Sequence, residues 1–255
     1  MEVQVLVATM NQNNYALLEK MNIRSNAIIG NQCDDNSVAD FIWKGHKIKY
    51  LNFAEKGVGL NRNNALMRAN GDYCLFADDD MVYDDDYVEK VRNAFNKIKD
   101  ADIIIFNLKE KNPTRFIIKK ITKVNYFNYL RYGTARVAVK LKSVRNNGIF
   151  FNLCFGGGTE HSHGEDNLFL TECLKKGLKV YAVPEYIATL TEERKSSWNN
   201  GYDEKYLRDQ GILYYFISKR WYRLLCIQDA IRRRKSYNMN PLKIYNLMTK
   251  DVYKY

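Results

Sequence analysis

The chain has 255 residues, 46% of them hydrophobic, and a formal net charge of +11. That is enough for one α/β domain with an extension, or for two small domains. Its 3 prolines and 14 glycines leave little room for a flexible linker, and no apolar run reaches the roughly 20 residues of a membrane-spanning helix. The positive excess suits an anionic partner: nucleic acid, a membrane surface or a substrate. Five scattered cysteines without a C-x-x-C pair fit a reduced, cytoplasmic setting, and the apolar start at Val3 follows no basic leader.

In chain order, Val3 to Ala8 reads as a β-branched strand and Tyr15 to Met21 as a helix. Ala27 to Ile29 is a second strand, closed by the polar stretch Gly30 to Ser37, and Ile48 to Phe53 a third. Gly59 to Ala69 has helical spacing with Asn61 as its N-cap. Gly71 turns the chain into the apolar strand Tyr73 to Ala77, which runs directly into Asp78-Asp79-Asp80. A helix from Asp85 to Ile98 and a strand from Ile103 to Phe106 follow. Farther on, Arg136 to Leu141 reads as a strand, Glu165 to Lys176 as a helix and Lys179 to Val183 as a strand, with a helical pattern from Glu204 onward. The alternation predicts an α/β fold with a mostly parallel sheet between helices. Ligands of such sheets sit beyond the carboxyl ends of the strands, where the segments after Ala8, Ile29 and Ala77 would converge.

Three adjacent carboxylates at the end of an apolar strand repel one another and call for a cation. Their hard oxygens suit Mg²⁺ or Mn²⁺ bridging to a diphosphate. Asp84-Asp85-Asp86, by contrast, reads as the capping cluster of the next helix. Upstream, Lys56 and Arg62 flank a glycine-containing helix start, a suitable place for phosphate.

The block from Gly59 through Arg62-Asn63 to Ala69-Asn70-Gly71-Asp72-Tyr73, followed by Asp78-Asp79-Asp80, resembles glycosyltransferase family 2, with its D-x-D motif. The opening strand with Thr9-Met10-Asn11 and the later Gly164-Glu165-Asp166 are similar to the same family, so the likeness spans roughly residues 3–190. Arg194 to Trp198 looks like a segment of capsule and surface-polysaccharide transferases. The resemblance implies a GT-A fold over residues 1–200: a nucleotide-sugar half (1–107), an acceptor half (108–200), then a helical basic extension (201–255). It also implies roles. Asp80 and Asp78 would hold the metal, with Asp78 or Asp79 shared with the ribose. Thr9, Asn11, Lys56, Gly59 and Arg62 would face the nucleotide sugar, and Asp166, with Glu165 beside it, would be the catalytic base. Where many relatives carry an acidic turn directly after strand two, this chain has Asn31-Gln32-Cys33 before Asp34-Asp35. Either Asp34 and Asp35 reach the base, or Asn31 does so as an amide.

The chemistry agrees. Expelling a nucleoside diphosphate requires charge neutralisation, and the acceptor hydroxyl needs a carboxylate base on the opposite face. The expected activity is inverting transfer from a UDP-sugar to a glycan or lipid-linked acceptor in bacterial surface-polysaccharide synthesis. A nucleotidyltransferase would carry a Gly, Arg and Lys-rich loop where this chain has Thr9-Met10-Asn11-Gln12; a non-catalytic glycan-binding scaffold of the same fold is the other alternative. Gly156-Gly157-Gly158 could admit an acceptor sugar or form an ordinary loop. His161 and His163 read as hydrogen-bonding residues rather than metal ligands. The basic, aromatic stretch Lys219–Lys235 could dock on the anionic inner face of the cell membrane, or pack as a helix with a solvated basic face. No recognition motif points to nucleic acid.

Overall fold

A computed structural model describes residues 1–191 and 202–255; Arg194 to Trp198 therefore lie outside the described residues. The first strand, β1 (Val3–Met10), leads through α1 (Ala16–Lys20) to β2 (Asn26–Gln32), β3 (Ser37–Trp43) and β4 (His46–Phe53). Next come α2 (Val58–Arg68), β5 (Tyr73–Asp78), β6 (Met81–Tyr83), α3 (Tyr87–Lys97) and β7 (Ile103–Lys109). The following part holds β8 (Thr122–Val124), β9 (Val137–Lys140), α4 (Leu141–Asn146), α5 (Glu165–Lys175) and β10 (Val180–Leu190). Four helices close the chain: α6 (Glu204–Ile217), α7 (Tyr222–Arg232), α8 (Arg234–Tyr237) and α9 (Pro241–Thr249).

The strands form one sheet in the order β3-β4-β2-β1-β5-β9-β7-β10-β6, with β8 paired to β10. Period-two alternation divides its faces. Val3, Val5 and Val7 of β1 pack with Leu18, Val91 and Phe95 of α1 and α3; Leu6 packs with Leu66, Val144 and Phe169 of α2, α4 and α5. The result is a helix–sheet–helix sandwich. β1, β2, β4 and β5 are mutually parallel, as expected from the alternation. The sheet is nevertheless more mixed than that alternation implies, because β9 runs antiparallel between β5 and β7.

The edge strand β3 also escaped the pattern. Ala39, Phe41 and Trp43 pack partly buried against the core, but Val38 and Ile42 stand exposed on the other face, so apolar residues on both faces blur the period-two signal. Its hairpin to β4 turns through Lys44 and Gly45, both at positive φ, as a two-residue turn matched to strand twist requires.

Helix α2 begins one residue early, with Gly57 as its N-cap. Asn61 is therefore not a cap; it sits inside the helix, fully buried. Its Nδ2 donates to the carbonyls of Gly30 at 2.7 Å and Thr9 at 3.3 Å. Gly30 allows this approach, since a Cβ there would lie 2.0 Å from Asn61 Oδ1.

Helices α6, α7 and α9 enclose a separate apolar cluster around Leu213, Cys226, Ile244 and Met248. Phe155 joins it from the segment before α5. All five cysteines are free thiols, and among the described residues no helix is long and apolar enough to cross a membrane.

Candidate active site

The carboxyl ends of β1 and β5 and the start of α5 surround a cleft of about 760 Å³. Thr9, Arg62, Asp78, Asp79, Asp80, Glu165 and Asp166 line it together. Residues far apart in the chain thus converge as the sheet topology predicted.

Arg62 ties the cleft together. It lies on α2 with its side chain only 4% exposed. Its Nη2 meets Asp78 Oδ1 at 2.8 Å, and its Nη1 meets Asp166 Oδ1 at 2.9 Å and Glu165 Oε1 at 3.0 Å. Burial alone would make the guanidinium easier to deprotonate; Asp78, Asp166 and Glu165 outweigh it and hold Arg62 firmly charged. A residue expected to face phosphate therefore spends two of its three nitrogens on joining β5 to α5. The flanking Asn63 does parallel work, exchanging hydrogen bonds of 2.9 and 2.8 Å with the backbone of Phe151. One turn of α2 thereby fastens three neighbouring segments.

The two members of the Glu-Asp pair differ in access. Asp166 has a side chain 27% exposed, and its Oδ2 accepts from the Thr134 amide at 3.0 Å. Glu165 is only 12% exposed; burial first, and then Asp166, push its carboxyl up to about 7. Gly164 makes the turn into α5 at φ 111°, where a Cβ would also strike Leu213 of α6.

On the other wall, Thr9 Oγ1 donates to Asp79 Oδ2 at 2.5 Å, and Gln12 supports Thr9 at 3.0 Å. Both the amide and the hydroxyl of Thr191 donate to the Asp80 carbonyl, at 2.7 and 3.0 Å, fixing the strand end. Burial, together with Asp78 and Asp79 and against the pull of Arg115, pushes the Asp80 carboxyl up to about 6. Six carboxylates line the cleft against three arginines, so negative charge is in excess there. Among the described residues no three or more His, Cys, Asp or Glu side chains converge as a metal cage. Mg²⁺ commonly takes only one or two carboxylates and completes its shell with water and substrate phosphate. An all-oxygen strand end with surplus negative charge fits such an ion, with Asp80 as the carboxylate best placed to hold it.

The remaining expected residues sit elsewhere. Asn31 is buried behind the wall, its amide bonded to both backbone groups of Gln12 at 2.9 Å and to Asn52 at 2.8 Å. Gly59 is buried in the first turn of α2, where a Cβ would lie 2.7 Å from the Asn152 carbonyl. Asn11, Asp34 and Lys56 are exposed and off the cleft lining. His161 is buried against α6 through Asp209 at 3.1 Å, whereas His163 does line the cleft while bonding to Gln210 of α6 at 2.9 Å. The cleft also contains Gln32, Arg115 and Arg131, which the sequence reading passed over. The two arginines lie in an irregular stretch; their proximity to Phe116, Tyr129 and Tyr132 was the available clue.

Such a sheet, with an acidic strand end facing a Glu-Asp helix start, has the GT-A glycosyltransferase fold. The crystal structure of S. aureus TarS 1-349 in complex with UDP-GlcNAc matches it with a TM-score of 0.65 and 13% identity, over 100% of this chain and 92% of that one. The same protein in complex with UDP gives 0.64 at 13% identity and the same coverage. The longer crystal structure of S. aureus TarS gives 0.63 at 13% identity, over 98% of this chain and 55% of that one. The chain is similar to the family described as Glycosyl transferase family 2, whose model matches residues 32–155. A search of curated proteins finds no match.

Proposed function

We propose that the chain is an inverting glycosyltransferase of surface-polysaccharide synthesis, moving a sugar from a UDP-sugar to a hydroxyl of a glycan or lipid-linked acceptor. The observation that carries this reading is the single buried Arg62 shared by Asp78 of the strand-end triplet and by Glu165 and Asp166 of α5. A donor-binding wall and a proton-accepting wall are thereby held in register across one cleft. The family match over residues 32–155 and the fold shared with a UDP-GlcNAc-bound transferase support it.

In this reading Asp80, with Asp78 beside it, would hold Mn²⁺ or Mg²⁺, and Thr9, bonded to Asp79, would position that carboxylate for the nucleoside. The ion's chemistry is to offset the charge that develops on the departing diphosphate. Asp166 is the proton acceptor, because it is the more exposed carboxylate of the pair and still has lone pairs free beside its two partners. As the acceptor oxygen bonds to the anomeric carbon, its proton passes to Asp166. The anomeric C–O bond breaks and its electron pair leaves with the nucleoside diphosphate. Attack from the opposite face inverts the centre. Arg62 and the Thr134 amide keep the Asp166 carboxylate aimed while its charge changes.

The deciding experiment measures nucleoside diphosphate release from a panel of nucleotide sugars and acceptors, with Mn²⁺, Mg²⁺ or chelator. Metal-dependent release from one donor, reduced about 10²–10³-fold in Asp80→Ala, is the expected result. Absence of metal-dependent binding to every nucleotide sugar would overturn the reading.

Membrane docking through Lys219–Lys235 belongs to the same proposal. Trp221, Leu224, Ile227 and Ile231 are exposed at the spacing of one helical face. Lys219, Arg220, Arg223, Arg232, Arg234 and Lys235 are exposed and flank them along the chain, while Asp229 of the same helix is buried against Arg233 and Tyr237. Apolar anchors flanked by cations suit an anionic bilayer. Sedimentation with phosphatidylglycerol vesicles but not with phosphatidylcholine vesicles is expected, and should be lost in Leu224→Ser/Ile231→Ser. Equal sedimentation with both vesicle types, or none, would leave the helix without this role.

A further inference from the structure

A second cavity of about 230 Å³ adjoins the cleft, sharing Glu110 and Arg115 with it. Its lining includes Arg136, at the end of a single helical turn (Thr134–Arg136) that begins at the Asp166-bonding amide of Thr134. Arg136 is only 3% exposed. Its Nη1 donates to the Phe116 carbonyl at 3.1 Å, and its guanidinium stacks 5.6 Å from the Tyr132 ring. Its Nε is buried without a partner, as is that of Arg62, but unlike Arg62 it has, among the described residues, no carboxylate within ion-pair distance.

The contrast with Arg62 is direct. Arg62 is equally buried but has three carboxylates. A guanidinium removed from water without a counter-ion is costly, and burial, followed by Arg115, pushes Arg136 down to about 10. The other charges around the cavity are largely committed. Lys109 is paired with Asp84 at 2.8 Å and Glu110 with Arg115 at 3.3 Å. Asn107 has both its amide atoms engaged with the backbone of Ile118 and Pro184. Arg136 is the charge without a direct ion pair, since Glu110 is bonded to Arg115 and offsets Arg136 only from a distance; the space is large enough for a phosphate group, and a bound oxyanion would supply the missing partner.

The position of the cavity indicates which substrate brings the anion. Arg115 lies between the two spaces: its charge lowers the Asp80 carboxyl on one side and the Arg136 guanidinium on the other. Asp80 marks where the donor diphosphate is held in the proposed function, and the cavity lies beyond Arg115 from it. We propose that this cavity is a phosphate subsite for the acceptor, in which Arg136 and Arg115 grip a phosphate carried by the glycan or by its lipid linkage. The inference rests on the transferase reading for the word acceptor, but the anion site stands on Arg136 itself. Arginine suits the task because its planar fork matches phosphate geometry.

Two binding measurements separate the subsite from the transferase reading. UDP with Mn²⁺ is titrated alone; inorganic phosphate is then titrated at saturating UDP, so that the donor site is blocked. Binding is followed by ³¹P line broadening and by the rise in melting temperature that a native-state ligand produces. Wild type should bind phosphate with UDP already in place. Arg136→Met and Arg115→Gln should each weaken that binding, by roughly tenfold or more for Arg136. Arg115 is well exposed, so its variant tests the site even if Arg136→Met does not fold. Glycerol 3-phosphate and farnesyl phosphate then compete for the site, and the tighter competitor names a polyol-phosphate glycan or a lipid linkage as the source. Phosphate binding that fails in the wild type with UDP bound, or that survives both substitutions, overturns the subsite. Failure of UDP to bind, with an Arg136-dependent phosphate site present, would overturn the transferase reading and leave the subsite standing.

Discussion

The cleft and the seam between α5 and α6 are built on opposite electrostatic plans. In the cleft one buried cation, Arg62, holds three carboxylates, and two more carboxylates stand beside them at Asp79 and Asp80. In the seam one buried anion, Asp209, collects His161 Nδ1 at 3.1 Å, the Ser162 amide at 3.0 Å, the Ser162 hydroxyl at 3.1 Å and Lys205 Nζ at 2.6 Å. The seam is closed: its anion is surrounded by donors, and nothing is left to attract a ligand. The cleft carries a surplus of one sign, with six carboxylates lining it against three arginines. Two networks of similar size therefore differ in what they are for. A balanced network fastens the C-terminal helices to the sheet domain, whereas the unbalanced one is, in the proposed function, where a cation and an anionic substrate arrive.

Arg62→Met breaks the comparison most severely, because it removes the cation on which the cleft wall depends. Stranding buried carboxylates should cost about 3–5 kcal/mol of unfolding free energy, measurable by urea denaturation, and nucleoside diphosphate release should vanish with it. Arg62→Lys should recover part of the stability but less of the activity, since a single ammonium cannot reproduce a fork that spans β5 and α5. Asp166→Asn keeps an oxygen for the Arg62 and Thr134 donors but removes the charge and the proposed proton acceptor. Donor binding by calorimetry should persist while turnover falls about 10²–10⁴-fold. Glu165→Gln should fall less, because its carboxyl is turned away from solvent. The reverse ranking would transfer the base role to Glu165.

Much of the cleft was legible in the sequence because its residues sit at ends of regular elements. Asp78-Asp79-Asp80 end an apolar strand, and Glu165-Asp166 open a helix, so pattern and topology together placed them in one cleft. What the sequence could not carry was partnership. Arg62, Asn61 and Asn63 looked like a polar helix entry, yet all three point inward, and their partners lie as far as 104 positions away. The edge strand β3 carries apolar residues on both faces, Arg115 and Arg131 lie in a segment with no periodicity, and Arg136 was legible only as the first residue of a strand. Asn31 was identified from its place after the expected second strand, Ala27 to Ile29, but it lies within β2 and its burial depends on Gln12 and Asn52, brought together only by the sheet register. Long-range pairing has no local signature.

The seam offers the smallest but most selective test. Asp209→Ala leaves the Ser162 amide and a histidine nitrogen without their acceptor, at an expected cost of about 1–3 kcal/mol, while UDP affinity should be unchanged because Asp209 does not line the cleft. The pH dependence distinguishes the two regions further. Although burial alone would raise it, His161, Lys205 and the Ser162 amide hold the Asp209 carboxyl well below the usual aspartate range. Its stabilisation is therefore present above about pH 4 and fades as the pH falls through its lowered folded-state value. Glu165 has the opposite sign. Its carboxyl is raised to about 7 in the folded protein, so its contribution is complete below the unfolded value and is lost as the pH rises through the neutral range. Urea midpoints of wild type, Asp209→Ala and Glu165→Gln between pH 3 and 8 resolve both. The Asp209→Ala deficit should shrink toward acid, and Glu165→Gln should flatten the decline toward neutral pH. A deficit in Asp209→Ala that stays constant down to the acid limit would mean that packing, rather than the charged network, holds the helices to the sheet.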